Sequence, residues 1–216
     1  MRKDHRVRQK AVKLDNGDYS KGYKEGGKRY LTKEYSFWHN LFNRVNSKAR
    51  HAADPKYIGC ELGFDSYNSF AEWCNSQIGF NEEGWVLDKD ILCHMKSKEK
   101  IYSPETCVFV PVNINAFLTF RNYKNTTGYS GVSAITSKGY STNFMACCTN
   151  LNGKNTTLGR TYTAEEAYLL YRKHKVGLAQ QLARQYRGKV DSRVITYLDN
   201  FDKYIDDLAI FNKGEK

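Results

Sequence analysis

The chain has 216 residues, 40% hydrophobic and 26% charged, with a formal net charge of +11 at pH 7. These proportions suit a globular protein of one or two domains, and no apolar run approaches the roughly 20 residues of a membrane-spanning helix. The basic start MRKDHRVRQKAVK lacks the apolar segment of a secretory signal, so a cytoplasmic setting is expected. The positive excess falls before about residue 50 and after Arg121, with a net acidic stretch between. A positive field attracts polyanions, and this order suits a nucleic-acid binder with a carboxylate-lined metal site.

Residues 1–34 are polar and basic, and DNGDYSKGYKEGGKRY is dense in turn-formers. That predicts a basic flexible arm able to follow a phosphate backbone. Tyr35, Trp38, Leu41, Phe42 and Val45 then recur at spacings of three and four, which predicts an amphipathic helix. Phe64, Tyr67, Phe70 and Trp73 fall three apart in a second helix. These aromatics are expected to pack the helices together, not to stack on bases.

WVLDKDIL (85–92) and TCVFVP (106–111) read as short strands joined by the charged loop CHMKSKEKIYSPE. Pro111 ends the second strand because it cannot donate to a ladder, and VNINAFLTF opens a helix. On the first strand Asp88 and Asp90 would share a face by two-residue alternation. Beyond Arg121 comes the turn-rich NYKNTTGYSG. Three strands are expected next, YSGVSAI, GYSTNFMACC and KNTTLGRTY, separated by the hairpin turns SKG and LNG. Thr163 with Glu166 three residues on is a capping box that opens a long helix. Val194, Leu198, Phe201, Ile205 and Leu208 mark one face of a C-terminal helix. The expected class is α+β: a helical N-terminal part, a strand–loop–strand–helix unit, then a three-stranded antiparallel sheet packed on a helix, with a C-terminal helix.

Six cysteines (Cys60, Cys74, Cys93, Cys107, Cys147, Cys148) form no CxxC pair. They are expected as buried thiols, and zinc is not expected. An Asp on a strand and an Asn on the following helix can hold one hard divalent cation whose oxygen shell is completed by phosphate and water. Asp88 and Asn115 fit the ligand roles, and Asp90 could assist through a bound water. Such a cation stabilises the leaving oxygen of a phosphodiester while a nearby base deprotonates water.

WVLDKDIL followed by YSPETCVFVPVNIN resembles the HNH (ββα-metal) hairpin of phage and intron-encoded homing endonucleases. It is similar, more closely, to a phage subgroup carrying LDKDIL, YSPETC and an Ile-Asn pair. GVSAI, KGYSTNFMA, LGRTYTAEEA and YRKHK resemble the APETALA2-type DNA-binding domain that such endonucleases often carry at the C-terminus. The matches cover roughly residues 35–190.

This resemblance implies an HNH-like nuclease domain over 35–120 and an APETALA2-like domain with its C-terminal helix over 121–216. It implies Mg²⁺ or Mn²⁺ as cofactor, double-stranded DNA as partner, a monomer or homodimer, and the host cytoplasm of a phage-encoded protein. It gives Asp88 and Asn115 the metal and Thr106 the loop-stabilising position, and it puts Lys89 where the family has its water-activating histidine. Lys89 then has three readings: a phosphate contact, a base of depressed pKa, or the mark of a dead site. His94, six residues after Asp88 and in the expected loop, is the nearest substitute base. In the second domain the strand and turn positions Tyr129, Ser133, Lys138, Tyr140, Asn143, Lys154, Thr156 and Arg160 are expected to face DNA. Arg160 and Asn143 are the candidates for reading bases, and Lys138 and Lys154 for holding phosphates. The expected function is a metal-dependent DNA endonuclease of the HNH homing type. The alternative is a catalytically silent, sequence-specific DNA-binding regulator of the same fold.

Overall fold

The structure, a computed structural model, describes residues 8–96, 100–120, 126–135 and 143–210. Its contacts divide into two compact units, Met1–Phe109 and Val110–Lys216.

The first unit carries regular structure where a loosely packed arm was expected. Strands β1 (Gly22–Glu25) and β2 (Lys28–Leu31) form an antiparallel hairpin that pairs Tyr23 with Tyr30. Gly26 and Gly27 turn it with φ of 54° and 77°, the left-handed pair whose twist matches that of the strands. The segment is tied down at both sides. The Ala11 N–H donates to the carboxylate of the fully buried Glu34 at 2.7 Å, and the Tyr19 N–H donates to Asn68 Oδ1 at 3.0 Å.

Thr32 caps helix α1 (Lys33–Asn46) by accepting the Tyr35 N–H, and α1 packs on α3 (Tyr67–Ser76). Between them lie α2 (Lys48–Ala53) and the short strand β3 (Glu61–Leu62). The aromatic stripe forms the core as expected. Phe70 is fully buried, Phe64 meets it edge-on at 5.0 Å, and Trp38 lies against it at 5.6 Å. Phe42 departs from the expectation and stays 48% exposed.

Strand β4 covers Trp85–Asp88 only, and residues Asp90–Lys96 wind into helix α4. The expected strand over 85–92 therefore ends four residues early. The cause is local: Asp88 accepts the Ile91 N–H at 3.0 Å, which closes a helical turn. Ile91, Leu92 and Cys93 are all buried in succession, a pattern that period-two alternation cannot produce. Strand β5 (Ile101–Tyr102) runs parallel to β3, and β6 (Val108–Pro111) pairs with β4. Helix α5 (Val112–Phe117) follows β6 directly, with Pro111 at the junction as expected.

In the second unit, β7 (Val132–Ile135), β8 (Asn143–Thr149) and β9 (Asn155–Thr161) form the expected antiparallel sheet in the order β7-β8-β9. Helix α6 (Ala164–Tyr186) opens with the Thr163–Glu166 capping box and packs on the sheet. At Gly131, φ is +71° and an added Cβ would lie 2.1 Å from the Tyr171 ring. Only glycine admits so close an approach of sheet to helix. The C-terminal segment is not one helix. Helix α7 (Ser192–Asp199) stops at Asn200, a single 3₁₀ turn spans Phe201–Lys203, and α8 is Ile205–Ala209. Val194, Leu198, Phe201 and Ile205 are buried all the same. The six cysteines are free thiols, and all but Cys147 are buried. No helix of the described residues is long and apolar enough to cross a membrane.

Candidate functional site

Asp88 ends β4 with 9% of its surface exposed, and one carboxylate oxygen is taken by the Ile91 N–H. Burial, and then the charge of Asp90, push its pKa up to about 6, against the pull of that N–H and of Lys89. Lys89 is 8% exposed. Its ammonium pairs with the Asp90 carboxylate and lies 5.3 Å from the centre of the Tyr102 ring. Burial acts to lower the Lys89 pKa, but the charge and hydrogen bond of Asp90, with help from Tyr102, outweigh it and the net shift is upward. Lys89 is therefore a held cation and not a base of depressed pKa. Asp90 does not alternate with Asp88 on a strand; it opens α4, its side chain 81% exposed and turned to Lys89. His94 sits half-buried within α4, not in a loop between strands.

Thr106 lies between β5 and β6 and is buried. Its hydroxyl donates to the Ile101 carbonyl at 2.5 Å and accepts the Ser103 N–H at 3.0 Å. Asn115 is half-buried in α5, where its carbonyl accepts the Thr119 hydroxyl at 2.9 Å. Asp88 and Asn115 belong to different units, so the resemblance alone pairs them. Among the described residues no three His, Cys, Asp or Glu side chains gather as a metal site would need. A hard cation at Asp88 would need phosphate and water to complete its oxygen shell.

In the second unit, α6 covers one face of the sheet. The register sets Ser133, Met145 and Arg160 side by side in one cross-strand row, and Ile135 opposite Asn143 two residues along. Residues in these rows project from the face opposite α6, so Ser133, Asn143 and Arg160 share the open face. Met145 belongs with them and was missed, although strict alternation along the three strands marks it.

Two expected contacts turn the other way. Tyr129 stacks on Tyr168 at 4.9 Å and donates to Glu165 at 3.2 Å. Thr156 pairs with the buried Cys148, and its hydroxyl accepts from Asn150, whose oxygen meets His174 Nε2 at 2.9 Å. Lys154 is exposed at the β8–β9 turn. Lys138 and Tyr140 lie outside the described residues.

A group that no spacing announced is Lys175, 8% exposed beneath the sheet. Its ammonium donates to the Phe117 carbonyl at 2.7 Å and lies 3.8 Å from the centre of that residue's ring. Burial pushes its pKa down to about 8. Together with Asn115 and Cys148 it lines a cleft of about 1080 Å³ within the second unit.

No family model matches the chain, and neither a curated protein nor a solved structure matches it.

Proposed function

We propose that the chain is a metal-dependent DNA endonuclease of the HNH homing type, with Asp88 as the carboxylate that takes a divalent cation such as Mg²⁺ or Mn²⁺. The observation that carries this reading is the Asp88 loop. Strand β4 pairs with β6, β6 runs into α5, and Asp88 ends β4 beside a buried cation while Thr106 clamps the loop between the strands. The paired strands β4 and β6 with α5 after them support the ββα-metal reading, although α4 and β5 stand where that resemblance implies a loop. Asn115 is the second ligand on the strength of the resemblance alone. A divalent cation at Asp88 supplies positive charge to the scissile phosphate and its leaving oxygen. Lys89, held as a cation, serves the phosphate as a point charge, which leaves water activation to His94 of α4. Arg160 and Asn143 on the open sheet face read bases, and Lys154 holds backbone phosphate.

A second reading is a catalytically silent DNA-binding regulator. It is favoured by the structural employment of both residues: Asp88 caps α4, and Lys89 is paired with Asp90. Supercoiled plasmid carrying the sequence that flanks the gene separates the two. Nicking that requires Mg²⁺ or Mn²⁺ supports the endonuclease. Salt-dependent binding with no nicking in either metal supports the regulator, and an absence of binding removes both.

A further inference from the structure

We infer that a line of cations and aromatic rings in the first unit, running from Lys89 to Lys56, seats the phosphodiester backbone of double-stranded DNA. Lys89 lies over the Tyr102 ring, and Arg44 donates to the Tyr102 hydroxyl at 3.4 Å. The Arg44 guanidinium is also 5.2 Å from the centre of the buried Tyr57 ring, which Arg50 and Lys56 each approach to 5.0 Å. The Lys100 ammonium joins them, 3.3 Å from the carbonyls of Lys56 and Ile58. Among the described residues, two carboxylates pair with these five cations: Asp54, 2.9 Å from Lys56, and Asp90 with Lys89.

The five come from separate segments (α1, α2, the 55–57 turn, the β4–α4 junction and the approach to β5), Arg44 and Arg50 from the basic end of the N-terminal part and Lys56, Lys89 and Lys100 from the net acidic stretch after it. The fold brings Lys89 and Lys100 to the basic end of α1 and α2. Like charges at this spacing repel, and the ring faces offset part of that cost. Arg50, Lys56 and Lys100 remain exposed, available to a polyanion. Three of the cations gather on Tyr57 and Lys89 lies on Tyr102, with Arg44 reaching both rings, so the charge extends over two centres and suits successive phosphates better than a single small anion. The line begins next to Asp88, so a strand lying along it leads to the candidate metal carboxylate.

The partner is named from the endonuclease reading, and the test separates the two. The full chain is titrated onto a labelled 30-bp duplex of arbitrary sequence at increasing KCl, as wild type, as R50A/K56A, and as K173A/K189A. The last removes the same charge from exposed positions of the second unit. R50A/K56A should bind about tenfold more weakly or worse, with a log–log salt slope shallower by about 1.8, and should unfold at the wild-type temperature. K173A/K189A should stay near wild type. If the two double variants behave alike while wild type binds, the seat is wrong and the DNA reading stands. If wild type binds no duplex, or prefers duplex RNA, both are wrong.

Discussion

Asp88 does two kinds of work, and substitution can part them. Asparagine caps a helix about as well as aspartate and buries no charge. At pH 7 Asp88→Asn should therefore be more stable in urea than wild type, whose buried carboxyl has its pKa raised to about 6, while plasmid cleavage falls about 100-fold or more. Asp88→Ala should lose the cap as well, at a cost of about 0.5–2 kcal/mol against Asp88→Asn. The sequence showed which residues stand at these positions but not the state of Lys89. That state depends on Asp90 turning back as the first residue of a helix, and two-residue alternation had set Asp90 on a strand.

Lys175 gives a pH signature of its own. Its folded pKa of about 8 lies below the ordinary 10.5. Between those values the unfolded chain binds the proton and the folded chain does not, so this group makes stability rise with pH across that window and contributes its full penalty below it. Lys175→Met removes the effect. The variant's stability relative to wild type should fall by on the order of 1–3 kcal/mol between pH 8 and pH 10.5. Urea denaturation of the pair reads that difference and cancels the tyrosines and cysteines that titrate in the same range. A flat difference would mean that the Phe117 carbonyl and ring hold Lys175 charged throughout.

Elements whose ends are written in local chemistry were legible. The Thr163–Glu166 box, the three-strand run and the aromatic stripe of α1 and α3 each rest on contacts a few residues apart or on one repeating period. Elements decided by a single side chain were not. Asp88 converts the end of a strand into the start of α4, and Asn200 divides the last helix although its apolar face continues through Phe201 and Ile205. The loop between β5 and β6 hangs on one hydroxyl. Thr106→Val leaves the Ile101 carbonyl and the Ser103 N–H without that partner and should cost about 1–3 kcal/mol, with faster amide exchange at Ser103. In the second unit, Gly131→Ala forces a methyl group into the Tyr171 ring at positive φ. It should destabilise that unit by well over about 1 kcal/mol, a loss that thermal unfolding would register.

Across the whole chain, the net charge of +11 pointed toward a polyanion without saying where one would lie. Composition adds charges along the chain, whereas a binding surface needs them gathered in space. Arg160, Asn143 and Ser133 share the open face because strand register aligns them, and that much alternation could foresee. Arg44, Arg50 and Lys56 meet on Tyr57 only through the tertiary fold. The pairing of Asp88 with a metal is tested by cleavage of supercoiled plasmid carrying the flanking sequence. Wild type and Asp88→Asn are compared in Mg²⁺ and in EDTA, with duplex binding measured in parallel. Wild type should nick in Mg²⁺ and not in EDTA, and Asp88→Asn should bind unchanged with cleavage lost. Equal cleavage by the two proteins, or wild-type cleavage that persists in EDTA, would contradict that pairing.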